Sequence, residues 1–135
     1  MTIFVDASAL IAIITGEPDA DTLADRLEAD RDRIRSTLSV WETVAGLVRS
    51  QAVTVEEARA QVRRYLEAGA IRFVPLAERD YDLAIEAYAR FGKGRHPAAL
   101  NMGDCHAYSG ARAHAATLLF EGDAFSRTDI DQAGP

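Results

Sequence analysis

The sequence predicts an α/β fold, a central parallel sheet of four to five strands with helices on both faces. Three observations carry this. Thr2-Ile3-Phe4-Val5 is a short apolar run that stops at Asp6, the composition of a strand buried on both sides. Ala7-Ser8-Ala9-Leu10-Ile11 then turns at once to helix-compatible residues. The same alternation of strand and helix continues along the chain, the pattern of a parallel sheet covered by crossover helices. No internal repeat, low-complexity tract or linker interrupts the 135 residues, so they are expected to form one domain, 1–135.

The elements follow in order. The first helix runs from Ala7 to Ile14 and stops at Gly16 and Pro18. A second begins near Asp19, with Leu23 and Leu27 four apart. Ile34 to Thr37 is the second strand. Ser39 opens a helix whose apolar stripe is Val40, Trp41, Val44, Ala45 and Val48, with Glu42, Gly46 and Arg49 on another face. Trp41 is expected in the core. Thr54-Val55-Glu56-Glu57 is a capping box for a helix that turns Ala58, Val62, Tyr65 and Leu66 inward and ends at Gly69. Ile71 to Val74 is the third strand. The helix from Glu78 to Phe91 sets Tyr81, Ala84, Ile85 and Tyr88 on one face. Gly92 to Pro97 is a flexible basic loop, and Asn101 starts a helix through about His114. Thr117 to Phe120 is the fourth strand, Gly122-Asp123 a turn, Thr128-Asp129-Ile130 a short edge strand, and Ala133-Gly134-Pro135 a frayed tail.

Charge and composition exclude several classes. A net charge of −6 argues against coating nucleic acid by bulk electrostatics, which needs phosphate neutralisation by Lys and Arg. It leaves room for a local basic rim around an acidic centre. No apolar run approaches the ~20 residues needed to cross a bilayer, and no basic segment precedes an apolar one at the N-terminus. Cys105 is the only cysteine. A disulfide framework is therefore excluded and a reducing cytoplasm is the simpler setting, with no membrane association.

Parallel strands send their carboxyl ends to one edge, where ligands bind in open sheets. Asp6 follows the first strand and Asp123 the fourth. Glu42 lies in the first turn of the helix after the second strand, and Asp104 in the first turn of the helix after the basic loop. Each has a purely structural alternative. Asp6 can be an N-cap; Ser39 with Glu42, and Asn101 with Asp104, have near capping-box spacing; Asp123 can be a turn residue. Gathered at one edge, four carboxylates repel one another unless a hard cation sits between them. Carboxylates without thiolates or paired histidines point to Mg²⁺ or Mn²⁺. Such an ion suits phosphodiester hydrolysis, because it activates water and stabilises charge on phosphate oxygens. His106 and His114 are expected as ordinary helix residues, and Cys105 as a small core residue.

With these residues in place, the chain resembles the PIN-domain ribonucleases, specifically VapC-type toxins of toxin–antitoxin pairs. The matching blocks are Ile3 to Leu10, Ser39 to Glu42, Tyr88 to His96, Leu100 to Cys105, and Leu118 to Phe125 with Thr128-Asp129-Ile130. The resemblance implies a Rossmann-like α/β/α sandwich and a Mg²⁺- or Mn²⁺-dependent endoribonuclease that stops translation by cutting tRNA, rRNA or mRNA. It also implies a VapB-like antitoxin that blocks the site, and a homodimer. By motif, Asp6 and Asp104 look like direct metal ligands, and Glu42 like the third acid, binding metal directly or through water, or orienting the attacking water. Ser8 looks like a supporting or substrate contact. Lys93 and Arg95, with Arg49, would screen the acidic site from incoming RNA. Relatives often carry an Asn-Asp or Asp-Asp pair between the glycine and the phenylalanine; here the pair is Asp123-Ala124, so the place of the fourth catalytic carboxylate falls on Ala124 and Asp123 is a shifted substitute for it.

Two other strand-then-Asp architectures fit less well. A haloacid-dehalogenase-type phosphatase needs a second Asp where Ser8 stands, and a receiver module needs a lysine after a late strand, whereas Lys93 is the sole lysine. The remaining alternative is a degenerate PIN domain that only binds protein or RNA, favoured by Ala124.

Overall fold

The structure, a computed structural model, describes residues 1–133. Four strands form one parallel sheet in the order β3-β2-β1-β4: β1 Thr2–Val5, β2 Asp32–Arg35, β3 Ile71–Phe73 and β4 Thr117–Leu119. β1 lies at the centre, pairing with β2 through Phe4 and Ile34 and with β4 through Phe4 and Leu118. Six helices connect the strands: α1 Ala7–Thr15, α2 Ala20–Ala29, α3 Thr37–Gln51, α4 Val55–Ala68, α5 Glu78–Phe91 and α6 Met102–Ala113.

The pleat of β1 divides the core in two. Phe4 faces one layer with Ile34, Leu118, Phe91 and Tyr108 from α5 and α6. Ile3 and Val5 face the other, with Leu10, Leu27, Leu47 and Val62 from α1 to α4. Alternate side chains of a strand point to opposite faces, so a two-sided core requires the continuous apolar run that opens the chain. Two glycines allow close helix packing. A Cβ at Gly110 of α6 would overlap the Phe4 ring, and one at Gly46 of α3 would overlap Ile11 of α1. Gly16 ends α1 at φ +70°, a conformation costly to residues with a side chain.

Several expectations are corrected. β2 ends at Arg35, two residues earlier than the sequence pattern indicates, because Ser36 caps α3: its side chain accepts from the Ser39 amide and Ser39 reciprocates. Of the stripe Val40, Trp41, Val44, Ala45 and Val48, only Trp41 turns outward; Val40, Val44 and Val48 are half-buried against the edge of the core. Trp41 is 68% exposed, and the buried face of α3 is Ser39, Thr43, Gly46 and Leu47. Likewise Tyr81, Ile85 and Tyr88 of α5 are exposed, while Asp80, Ala84, Ala87 and Phe91 are buried. The basic loop is a closed turn rather than a free one. The Lys93 amide donates to Leu100 at 2.9 Å, and Leu100 donates back to Phe91 at 3.0 Å. Residues 128–130 are not a strand; a single parallel bridge, Leu118 with Gln132, follows them. Of the expected tail, Gly134 and Pro135 lie outside the described residues.

Candidate active site

Asp6 is fixed from three sides. Its amide donates to the Leu119 carbonyl of β4 at 2.9 Å, its carbonyl starts α1, and its Oδ2 accepts from the Ser8 amide at 3.0 Å and the Ser8 hydroxyl at 2.6 Å. The side chain is therefore an N-cap, and at 4% exposure it is buried. Burial is the main force pushing its pKa up to about 6, with the charge of Asp104 adding to it and the Ser8 hydrogen bonds opposing.

Glu42 lies one turn deeper in α3 than the sequence spacing indicates, and has no capping role because Ser39 fills that position. Its half-buried carboxylate rests against Gly103 of α6, where any Cβ would collide with it. Burial, then the charges of Asp6 and Asp104, raise it to about 7, while Arg49 pulls the other way. Asp104 sits at the third position of α6. Its Oδ2 accepts from the Asn101 amide at 3.1 Å while its own amide donates to Asn101 Oδ1 at 2.8 Å. It too is raised by burial, against the Asn101 hydrogen bond. Asp6, Glu42 and Asp104 are thus brought to one place by the end of β1, by α3 and by α6.

Their donor set, three carboxylates of which two spend one oxygen on the backbone, fits a hard divalent cation. Their carboxylate oxygens do not all lie within 4.8 Å of one another, however. Among the described residues, only Glu17, Asp19 and Glu121 form a group of three whose ligand atoms all lie within 4.8 Å of one another. Sequence reasoning misses Glu121, two residues past β4, although the strand-end argument that selects Asp6 applies to it. Its amide donates to Ser8 Oγ at 3.0 Å, so Ser8 links it to Asp6. A hydrogen bond with Asp19, then burial and the charges of Asp19 and Glu17, raise Glu121 to about 7.

The other expected site residues divide. Ser8 is turned inward, bonded to Asp6 and Glu121, and so positions Asp6. Asp123 is not gathered with the three acids; its side chain is 83% exposed and lies 3.6 Å from Arg127, because Gly122 at φ +97° turns the chain outward. Lys93 is exposed and shares a cavity of about 290 Å³ with Asn101 and Met102 at the start of α6. Arg95 is also exposed, but its Nε donates to the Ala89 carbonyl at 3.2 Å. As expected, Cys105 is buried, and His106 and His114 bond to carbonyls of their own helix.

A parallel sheet with acidic residues converging at its strand ends defines a nuclease-like α/β domain, and the chain belongs to the PIN domain family, whose pattern it matches over residues 3–131. Among curated relatives it is similar to a ribonuclease VapC of Mycolicibacterium smegmatis, 40% identical over 93% of this chain and 95% of that protein. It is also similar to the ribonuclease VapC30 of Mycobacterium tuberculosis, 38% identical over 93% and 94%. Two solved structures share the fold: the Mycobacterium tuberculosis VapC20 toxin, which cleaves the sarcin-ricin loop (TM-score 0.73, 18% identity, 98% of this chain and 99% of that one), and VapBC2 of Rickettsia felis bound to a promoter DNA fragment (TM-score 0.74, 16%, 98% and 96%). No helix among the described residues is long and apolar enough to cross a membrane.

Proposed function

We propose that the chain is a metal-dependent endoribonuclease, the toxin of a VapBC-type pair, cutting RNA to inhibit translation. The observation that carries this reading is the meeting of Asp6, Glu42 and Asp104 from three separate elements at the strand ends. The named activity of relatives at 38–40% identity supports it. Asp6, Asp104 and Glu42 would hold Mg²⁺ or Mn²⁺, which when bound activates water and stabilises charge on a phosphodiester. Ser8 keeps Asp6 in place. Glu42, held half-buried against Gly103, would bind the ion directly or through water, or orient the attacking water. Lys93 beside the start of α6 and Arg95 against the end of α5 offer exposed positive charge for the RNA backbone.

A VapB-like antitoxin is the expected partner, by analogy with the Rickettsia VapBC complex. The exposed Trp41, with the half-buried Val40, Val44 and Val48 beside it, offers a protein an apolar surface, and the exposed Tyr81, Ile85 and Tyr88 on α5 would serve a homodimer. The buried, unpaired Cys105 suits the cytoplasm. A PIN domain that only binds is the second reading, favoured by the exposed Asp123 and by Ala124 beside it. The deciding experiment is cleavage of RNA by the purified chain with Mg²⁺ or Mn²⁺ and with EDTA. Cleavage that needs the ion and disappears in Asp6→Asn supports the enzyme; an inactive wild type, or cutting that survives Asp6→Asn, overturns it.

A further inference from the structure

The α3–α4 side carries a cationic cavity that the catalytic reading leaves unused. It encloses about 370 Å³ and is lined by Arg35, Arg59 and Arg63, with Phe73, Val40 and Val62 among its apolar walls and Glu67 as its only acid. Five other arginines are ion-paired: Arg26 with Asp30, Arg72 with Asp32, Arg90 and Arg112 with Asp129, and Arg127 with Asp123. Arg35, Arg59 and Arg63 make no ion pair or side-chain hydrogen bond among the described residues. The Arg35 Nε is buried without a partner, and its guanidinium lies 3.9 Å over the half-exposed Phe73 ring. Three cations facing a single acid in one cavity, in a chain of net charge −6, form a locally positive site that attracts an anion.

Position identifies the anion. Arg35 is the last residue of β2, one beyond the Phe4–Ile34 pair, and Phe73 is its partner at the end of β3. Adjacent strands are ~4.8 Å apart, so Arg35 starts one strand over from Asp6 on the same edge. We propose that Arg35, Arg59 and Arg63 form a phosphate-binding subsite that seats the RNA strand beside the carboxylate centre, with the Arg35–Phe73 stack as a platform for a base. This rests on the ribonuclease reading. The centre itself is acidic and repels a polyanion, so neighbouring cations must hold the strand. Arginine forks match phosphate oxygens, and a guanidinium or aromatic face accepts an unstacked base.

The test is binding of a labelled single-stranded RNA to the uncleaving Asp6→Asn protein, followed by fluorescence anisotropy over a salt series. Arg59 and Arg63 are exposed, so Arg59→Gln/Arg63→Gln keeps the fold. It should weaken binding several-fold and lower the slope of log K against log salt by about 0.7 for each phosphate no longer neutralised. Arg59→Lys/Arg63→Lys should restore most of the slope, and Arg26→Gln should change nothing. Unchanged affinity and slope in the double Gln variant would overturn the proposal. So would failure to bind the antitoxin with RNA binding intact, which would assign the three arginines to a protein interface. Binding is read without cleavage, so a wild type that binds through these arginines but cuts nothing would refute the catalytic reading alone.

Discussion

The Glu42 carboxylate lies against the α-carbon of Gly103, with no room for a side chain between them. α3 and α6 approach at this point, and Asp104 is the next residue. Gly103→Ala should therefore push Glu42 out of place while leaving α6 intact, since Ala is favoured over Gly in a helix by roughly 1 kcal/mol. RNA cleavage should fall at least ~10-fold, equivalent to ~1.4 kcal/mol of transition-state stabilisation, with unchanged helical circular dichroism. Full activity in Gly103→Ala would show that the position of Glu42 is immaterial.

The acidic centre makes the metal-free protein sensitive to pH. Asp6 and Glu42 are raised in the folded state, to about 6 and about 7 from 3.8 and 4.5. The folded chain thus holds protons that the unfolded chain releases. The resulting stability is fully present below about pH 4 and is lost as pH rises through about 7. In thermal melts with EDTA, this contribution should lower Tm between about pH 5 and about pH 8. Asp6→Asn/Glu42→Gln should flatten the profile, and Mg²⁺ or Mn²⁺ should restore Tm at the alkaline end. A profile identical in wild type and double variant would contradict the account.

The exposed Trp41 offers a test of which face of α3 is buried. Trp41→Ala should change stability by no more than ~0.5 kcal/mol, as for an exposed site. A core tryptophan would cost ~3–5 kcal/mol. Urea denaturation measures this, and the intrinsic emission should be that of a solvated indole.

Away from the centre, the buried Tyr108 hydroxyl donates to Asp129 at 2.7 Å, and Arg90 and Arg112 flank the same carboxylate. Burial opposes ionisation of Asp129, but these partners prevail and hold it down at about 2. Tyr108→Phe should cost ~1 kcal/mol in urea denaturation and leave RNA cleavage unchanged. A parallel drop in cleavage would mean that this network also shapes the active centre.

Strand-end logic locates Asp6 in the sequence, because a parallel sheet fixes where its strand ends go whatever the helices do, and the first turn of the helix after the basic loop locates Asp104. Glu42 is reached through a mistaken helix start: Ser36, not the pair Ser39–Glu42, supplies the cap. The orientation of α3 is not legible. Periodicity groups Val40, Trp41, Val44 and Val48 on one face but does not say that Trp41 points into solvent while the three valines only half-bury against the core. The buried face instead uses small side chains whose hydroxyls bond within the helix, as Thr43 does to the Ser39 carbonyl at 2.7 Å. The same ambiguity governs α5. Asp123 stands out by its motif position, while Glu121, two residues earlier, is the acid that the fold ties to Ser8. A turn's direction depends on backbone torsion at Gly122, which local sequence does not fix.

The most direct test titrates Mn²⁺ calorimetrically into the wild type, Asp6→Asn, Glu42→Gln, Asp104→Asn, Asp123→Asn and Glu121→Gln. Binding heat should be present in the wild type and in Asp123→Asn, and absent or greatly weakened in Asp6→Asn, Glu42→Gln and Asp104→Asn. Binding that survives those three substitutions but vanishes in Glu121→Gln would place the ion with Glu17 and Asp19 instead, and would contradict the central claim.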